Sequence, residues 1–94
     1  MSEETYLRVL WRHDLPDEPI ELWSELDANR WEVRKIEVWK DGRVGIASAS
    51  RSSGGTHLGE APVPAVDAIA ADPQFDIEQI SSSEFETRWH QTVS

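Results

Sequence analysis

The sequence contains no cysteine, which removes disulfide staples, thiolate nucleophiles and cysteine-ligated zinc from consideration. It also has no apolar run near the roughly 20 residues that a membrane-crossing helix requires. Met1 to Thr5 is polar and acidic, unlike the basic start of a secretory signal, so a bacterial-type cytoplasmic protein is expected. Basic residues are scarce after residue 51, where Arg88 alone stands against seven carboxylates, and the formal net charge is -9. That balance repels phosphate backbones and anionic lipid, so neither nucleic acid nor membrane is an expected partner, whereas a basic protein would be attracted.

What is present suits one small domain spanning residues 1–94. Hydrophobic residues make up 38% of the chain and five of them are tryptophan. Since a buried tryptophan removes roughly 200 Å² from water, one core can form without a metal.

Tyr6 to His13 alternates as a strand does, and Ile20 to Leu26 resumes the alternation after the Pro16-Asp17-Glu18-Pro19 break. A loop over residues 14–19 sets Trp11 opposite Leu22 and Leu7 opposite Leu26 on a buried face. It sets Arg12 opposite Glu21, Arg8 opposite Glu25 and Leu10 opposite Trp23 on the outer face. Asp27-Ala28-Asn29-Arg30 turns the chain into a strand from Trp31 to Lys40, whose change of phase predicts a β-bulge at Arg34-Lys35. Asp41-Gly42 predicts a two-residue type I′ hairpin turn, pairing Val38 with Gly45, Ile36 with Ala47 and Arg34 with Ala49.

Thr56 to Gly59 is read as a fifth, short strand, and Phe75 to Ile80 as a packed connector. Pro64 opens a short helix that Asp72-Pro73 ends, and Ser81 with Glu84 has the capping-box spacing for a second, along which Glu84 can pair with Arg88. The fold expected is α+β: an antiparallel meander of four to five strands (residues about 5–59), packed on one face by two helices (about 64–71 and 82–92).

Signs of catalysis are few. The histidines His13, His57 and His90 are scattered, no GxSxG elbow or phosphate loop occurs, and Gly54-Gly55 reads as a flexible turn. Neither a metal nor a cofactor is expected, and the chain is read as a binding module rather than an enzyme. Glu21, Glu25, Glu32 and Glu37 fall on the outer face among Arg8, Arg12 and Arg34, as a structural charge lattice.

That outer face also carries Leu10, Trp23, Trp39, Val44 and Ile46, too much apolar surface for a fully solvated sheet. Trp23 beside Arg34 has the aromatic-cation makeup of an interface anchor. Leu10, Trp23, Arg34, Trp39 and Ile46 are therefore the candidate binding residues. Three covers suit them: the chain's own tail, a second copy, or a partner.

Tyr6-Leu7-Arg8-Val9, Pro16-Asp17-Glu18-Pro19, Trp31 to Glu37, Asp41-Gly42-Arg43 and Leu58-Gly59-Glu60 together resemble a family of small uncharacterised bacterial domains of unknown function. The resemblance implies a stand-alone cytoplasmic unit and supplies no catalytic residues. The function expected is recognition of a protein, as an immunity-type or regulatory partner or as a homodimer. The competing reading is a small molecule, or an accessory enzymatic role, in a pocket between sheet and helices near Trp11, Trp31 and Trp89.

Overall fold

Alternating side chains build four sequential antiparallel strands, β1 (Thr5–Trp11), β2 (Glu21–Leu26), β3 (Glu32–Val38) and β4 (Val44–Ser48). A two-residue β5 (Ser52–Ser53) follows, in place of a strand over residues 56–59. Then come α1 (Val66–Ala70), β6 (Phe75–Ile80) and α2 (Ser82–Val93), completing the computed structural model, which describes residues 4–93. The class is α+β as expected, with six strands in the order β5-β4-β3-β2-β1-β6. The sixth is the stretch read as a connector. Its Phe-Asp-Ile-Glu alternation is a strand signal, and it returns to pair with the free side of β1.

Both ordinary hairpin turns share one geometry, and it differs from the turn expected. At the β3–β4 corner Gly42 N–H donates to Trp39 C=O at 2.9 Å, and Trp39 N–H donates to Arg43 C=O at 2.9 Å. Gly42 alone there has positive φ, at 90°, so Lys40-Asp41-Gly42 is a three-residue loop and not a type I′ turn, which needs two such residues. The β2–β3 corner repeats it: Arg30 N–H donates to Asp27 C=O and Asp27 N–H to Trp31 C=O. Arg30 takes the left-handed position, φ 67°, that glycine takes in the other loop. Its strain is offset by bonds from Arg30 to the carbonyls of Val63 (2.9 Å) and Pro64 (2.8 Å), which moor the chain as it crosses the sheet.

One extra turn residue moves the pairing by one and turns every β4 side chain over. Val38 faces Val44, Ile36 faces Ile46 and Arg34 faces Ser48, in place of the pairs with Gly45, Ala47 and Ala49. The irregularity in β3 lies at Val33, where Glu25 pairs with Arg34 but Leu26 with Glu32, not at Arg34-Lys35. Ile36 thus lies opposite Trp23 and Val38 opposite Glu21. The first hairpin shifts by two residues, which keeps each side chain on its face but changes its partners. Leu22 lies across from Val9, Ser24 from Leu7, Trp23 from Arg8 and Glu21 from Leu10. Arg12, expected opposite Glu21, is instead bonded to Asp76 of β6.

These registers collect Trp23, Ile36, Val38, Val44 and Ile46 on one face, where α2 lands. Ile36, Ile46, Ile80, Phe85 and Trp89 form the buried cluster, flanked by Tyr6 and Trp23. Ser81 caps α2 as expected, its hydroxyl accepting the Glu84 N–H at 3.1 Å, and Phe85 and Trp89 lie one turn apart on its buried side.

The opposite face holds Leu7, Leu26 and Ala47, all buried, together with Glu32, Lys35 and Glu37. The stretch after β5 crosses over it. Thr56 donates to Glu37 (2.8 Å), Lys35 to His57 C=O (3.5 Å) and Gly59 N–H to Glu32. Gly45 makes this crossing close, since a Cβ there would lie 2.1 Å from the Thr56 hydroxyl. Gly45→Ala should therefore lower stability by about 1–3 kcal/mol, the usual result of overpacking, measured by urea unfolding.

Candidate functional site

The interior of the helix-side face is organised by one guanidinium. Tyr6, Glu25 and Arg34 form a row across three strands, with Tyr6 opposite Glu25 and Glu25 opposite Arg34. The Tyr6 hydroxyl donates to Glu25 at 2.9 Å and Arg34 Nε donates to Glu25 at 2.6 Å. Both terminal nitrogens of Arg34 then grip Glu86 of α2, at 2.9 and 2.8 Å, while its guanidinium carbon lies 4.9 Å from the centre of the Phe85 ring and 5.1 Å from that of Trp89. Bidentate pairing and ring contact are what an arginine, and not a lysine, provides.

These contacts move the groups' pKa values. The bond to Glu86, against the cost of burial and with help from Glu25, drives Arg34 above its ordinary value, and Arg34 holds Glu86 below the usual carboxylate value. Tyr6 is pushed up to about 12, first by burial and then by its bond to Glu25.

Of the five candidate residues, α2 and the loops absorb three. Ile46, 3% exposed, belongs to the core, and Arg34 is the clamp just described. Trp39, 8% exposed, donates to Asp17 C=O at 3.2 Å under the guanidinium of Arg43. Leu10, 38% exposed, and Trp23, half-buried, stay at the surface on adjacent strands. Trp11, Trp31 and Trp89 do not converge: Trp11 packs on Phe75 and His13, Trp31 is exposed beyond the other end of the strands, and Trp89 is on the buried side of α2.

Trp23, expected beside Arg34, instead meets two other guanidiniums, Arg8 at 5.2 Å and Arg88 at 5.7 Å from its ring. Its indole N–H donates to Glu21, which also accepts from Arg8 at 3.1 Å. Arg88 was not found by sequence reasoning as a site residue. The expected pair with Glu84 does not form, no carboxylate lies within 4.0 Å of Arg88 among the described residues, and its buried Nε has no partner there. Between Trp23 and the Ser83, Glu84, Thr87, Arg88 and Gln91 side of α2 is an open groove of about 360 Å³. Such a groove can take an apolar or aromatic group on the indole and an acceptor on Arg88.

His13 is fully used locally. Its Nδ1 accepts the Leu15 N–H at 2.9 Å, which puts the ring hydrogen on Nε2, 2.8 Å from Pro19 C=O. Among the described residues no group of His, Asp and Glu side chains is placed to hold a metal ion, and no helix is long and apolar enough to cross a membrane.

Residues 5–94 match the model of the family described as Domain of unknown function (DUF6881), and the chain belongs to that family. Comparison with curated proteins and with solved structures finds no match.

Two outcomes follow from the clamp. Arg34→Ala leaves Glu25 buried without its cation and should cost about 3–5 kcal/mol in urea unfolding. Tyr6 has a folded-state pKa above its unfolded value of about 10, so its contribution is complete below that pH and is lost as pH rises toward 12. The stability difference between the wild type and Tyr6→Phe should therefore shrink between unfolding titrations at about pH 9 and about pH 11. Glu86, shifted the other way, contributes above its unfolded value and loses that contribution as pH falls through its lowered one.

Proposed function

We propose that this chain is a non-enzymatic, cytoplasmic protein-binding domain, of the immunity-type or regulatory kind. Its partner meets the part of the Trp23 face that α2 leaves open. The observation that carries the reading is the indole of Trp23 with two guanidiniums at its ring, of which Arg88 has no carboxylate within 4.0 Å among the described residues. Tryptophan and arginine dominate the binding energy of protein interfaces, and a cation already stacked on an aromatic ring is partly positioned before the partner arrives. Leu10, on the strand next to Trp23, extends the apolar surface. Glu21 there is bonded to both Arg8 and Trp23 and serves to hold them in place.

The unpartnered Nε of Arg88 at the wall of the groove supports a second reading, a small anionic ligand. The two are separated by cross-linking and affinity capture with tagged wild type, Arg88→Ala and Trp23→Gln from the native host. The expected result is one partner protein whose capture falls at least about tenfold in both variants, with Arg88→Ala lowering Tm by no more than about 5 °C. Equal capture by all three, or a small molecule carried through native mass spectrometry in place of a protein, would overturn the protein-binding reading.

A further inference from the structure

The two edges of the sheet are unlike. One ends in β5, only two residues long, while β6 runs for six residues with β1 as its one paired strand among the described residues and α1 packed against it. Which backbone groups of β6 are unused follows from two bonds. Trp11 N–H donates to Ile20 C=O at 2.8 Å and Arg12 N–H donates to Gln74 C=O at 2.7 Å. In an antiparallel ladder the residues that exchange hydrogen bonds alternate, so odd-numbered residues of β1 bond to β2 and even-numbered ones to β6. The partners in β6 are then Asp76, Glu78 and Ile80, and Phe75, Ile77 and Gln79 direct their amides and carbonyls outward. Phe75 N–H is taken by Asp72 C=O at 3.0 Å; among the described residues no hydrogen bond reaches Ile77 or Gln79 from outside. Asp76, Glu78 and Gln79 are exposed.

Charge selects what can pair there. Asp76 and Glu78 project to the same face; Asp76 is already held by both terminal nitrogens of Arg12, whereas Glu78 has no ion-pair partner within 4.0 Å among the described residues. A second copy pairing antiparallel about Ile77 would place Asp76 opposite Glu78 twice, and pairing about Glu78 would place two glutamates together. Like charges directly opposite destabilise a sheet, so these two registers disfavour a second copy, and the unpaired Glu78 favours a basic strand. A cavity of about 190 Å³ beside it, lined by Arg8, Leu10, Asp76, Ile77 and Glu78, has room for a side chain of that strand.

We infer that β6 accepts an extended segment of a partner protein as a seventh strand, with Lys or Arg at alternate positions facing Asp76 and Glu78. The backbone of Ile77 and Gln79 supplies the hydrogen bonds, and the two carboxylates set charge and register. This is a second contact surface, which shares Arg8 and Leu10 with the neighbourhood of Trp23 but whose hydrogen bonds come from the β6 backbone alone.

The probe is an end-blocked eight-residue peptide of alternating Lys and Val, added to the isotope-labelled full chain. Shift changes should centre on β6, and exchange of the Ile77 and Gln79 amides should slow at least about tenfold at saturation. Binding should weaken at least about tenfold between roughly 50 and 300 mM salt, and the same peptide with Glu for Lys should not bind. Gln79→Pro removes an outward amide that the β1 ladder does not use, so it should abolish binding while Tm falls by no more than about 5 °C. Glu78→Lys, which leaves the Arg12–Asp76 pair in place, should weaken binding at least about tenfold with the edge backbone intact. Trp23→Gln should leave peptide binding unchanged, which separates this surface from the groove. Shifts centred elsewhere, no binding at millimolar peptide, equal binding by the Glu peptide, or a dimer by sedimentation in which β6 pairs with itself would overturn the inference.

Discussion

The guanidinium of Arg34 is the constraint on which the rest of this structure depends. It lies beneath α2 with two carboxylates, Glu25 from β2 and Glu86 from the helix, and with the rings of Phe85 and Trp89 over its plane. A charge held there costs several kcal/mol in desolvation unless it is paired and hydrogen-bonded, so the arrangement is favourable only when all partners arrive together. Arg34 can meet Glu25 only if β2 and β3 pair in one register, and Tyr6 can complete Glu25 only if β1 and β2 do. Slipping any of these strands by one residue would turn its member of the row to the far side of the sheet. The same cluster that docks the helix therefore helps to select the strand pairing.

Docking α2 in this way consumes part of the helix-side face and leaves part open. Phe85, Glu86 and Trp89 turn toward the clamp and core, while Ser83, Thr87, Arg88 and Gln91 wall the groove above Trp23. Arg8 lies opposite Trp23 on one side and Glu78 on the other, so a single cross-strand row runs from the groove to the free edge of β6. The two surfaces differ in kind. The groove offers an aromatic plane and a cation, the edge offers backbone groups and two carboxylates. With a net charge of -9, the chain's long-range field attracts positive charge, while the Trp23 groove locally presents arginines.

The sequence by itself determined the elements that rest on neighbours along the chain. Period-two alternation marked the first four strands, Asp27 to Arg30 and Asp41-Gly42 marked their corners, and Ser81 with the Phe85–Trp89 spacing marked the last helix. The family was legible too, from segments spread over nearly the whole chain, and its model matches residues 5–94. Only the tertiary structure decided register. A two-residue and a three-residue turn differ by one position that Asp-Gly permits in both cases, and that position sends Val44 and Ile46 to one face or the other. It also decided the candidate site: Trp23 stood out in the sequence, but Arg88 is 65 residues further on, and nothing between them along the chain indicates that the helix sets one over the other. Local chemistry fixes which segments extend or coil, whereas the pairing of distant segments is settled by which faces and charges can be buried together.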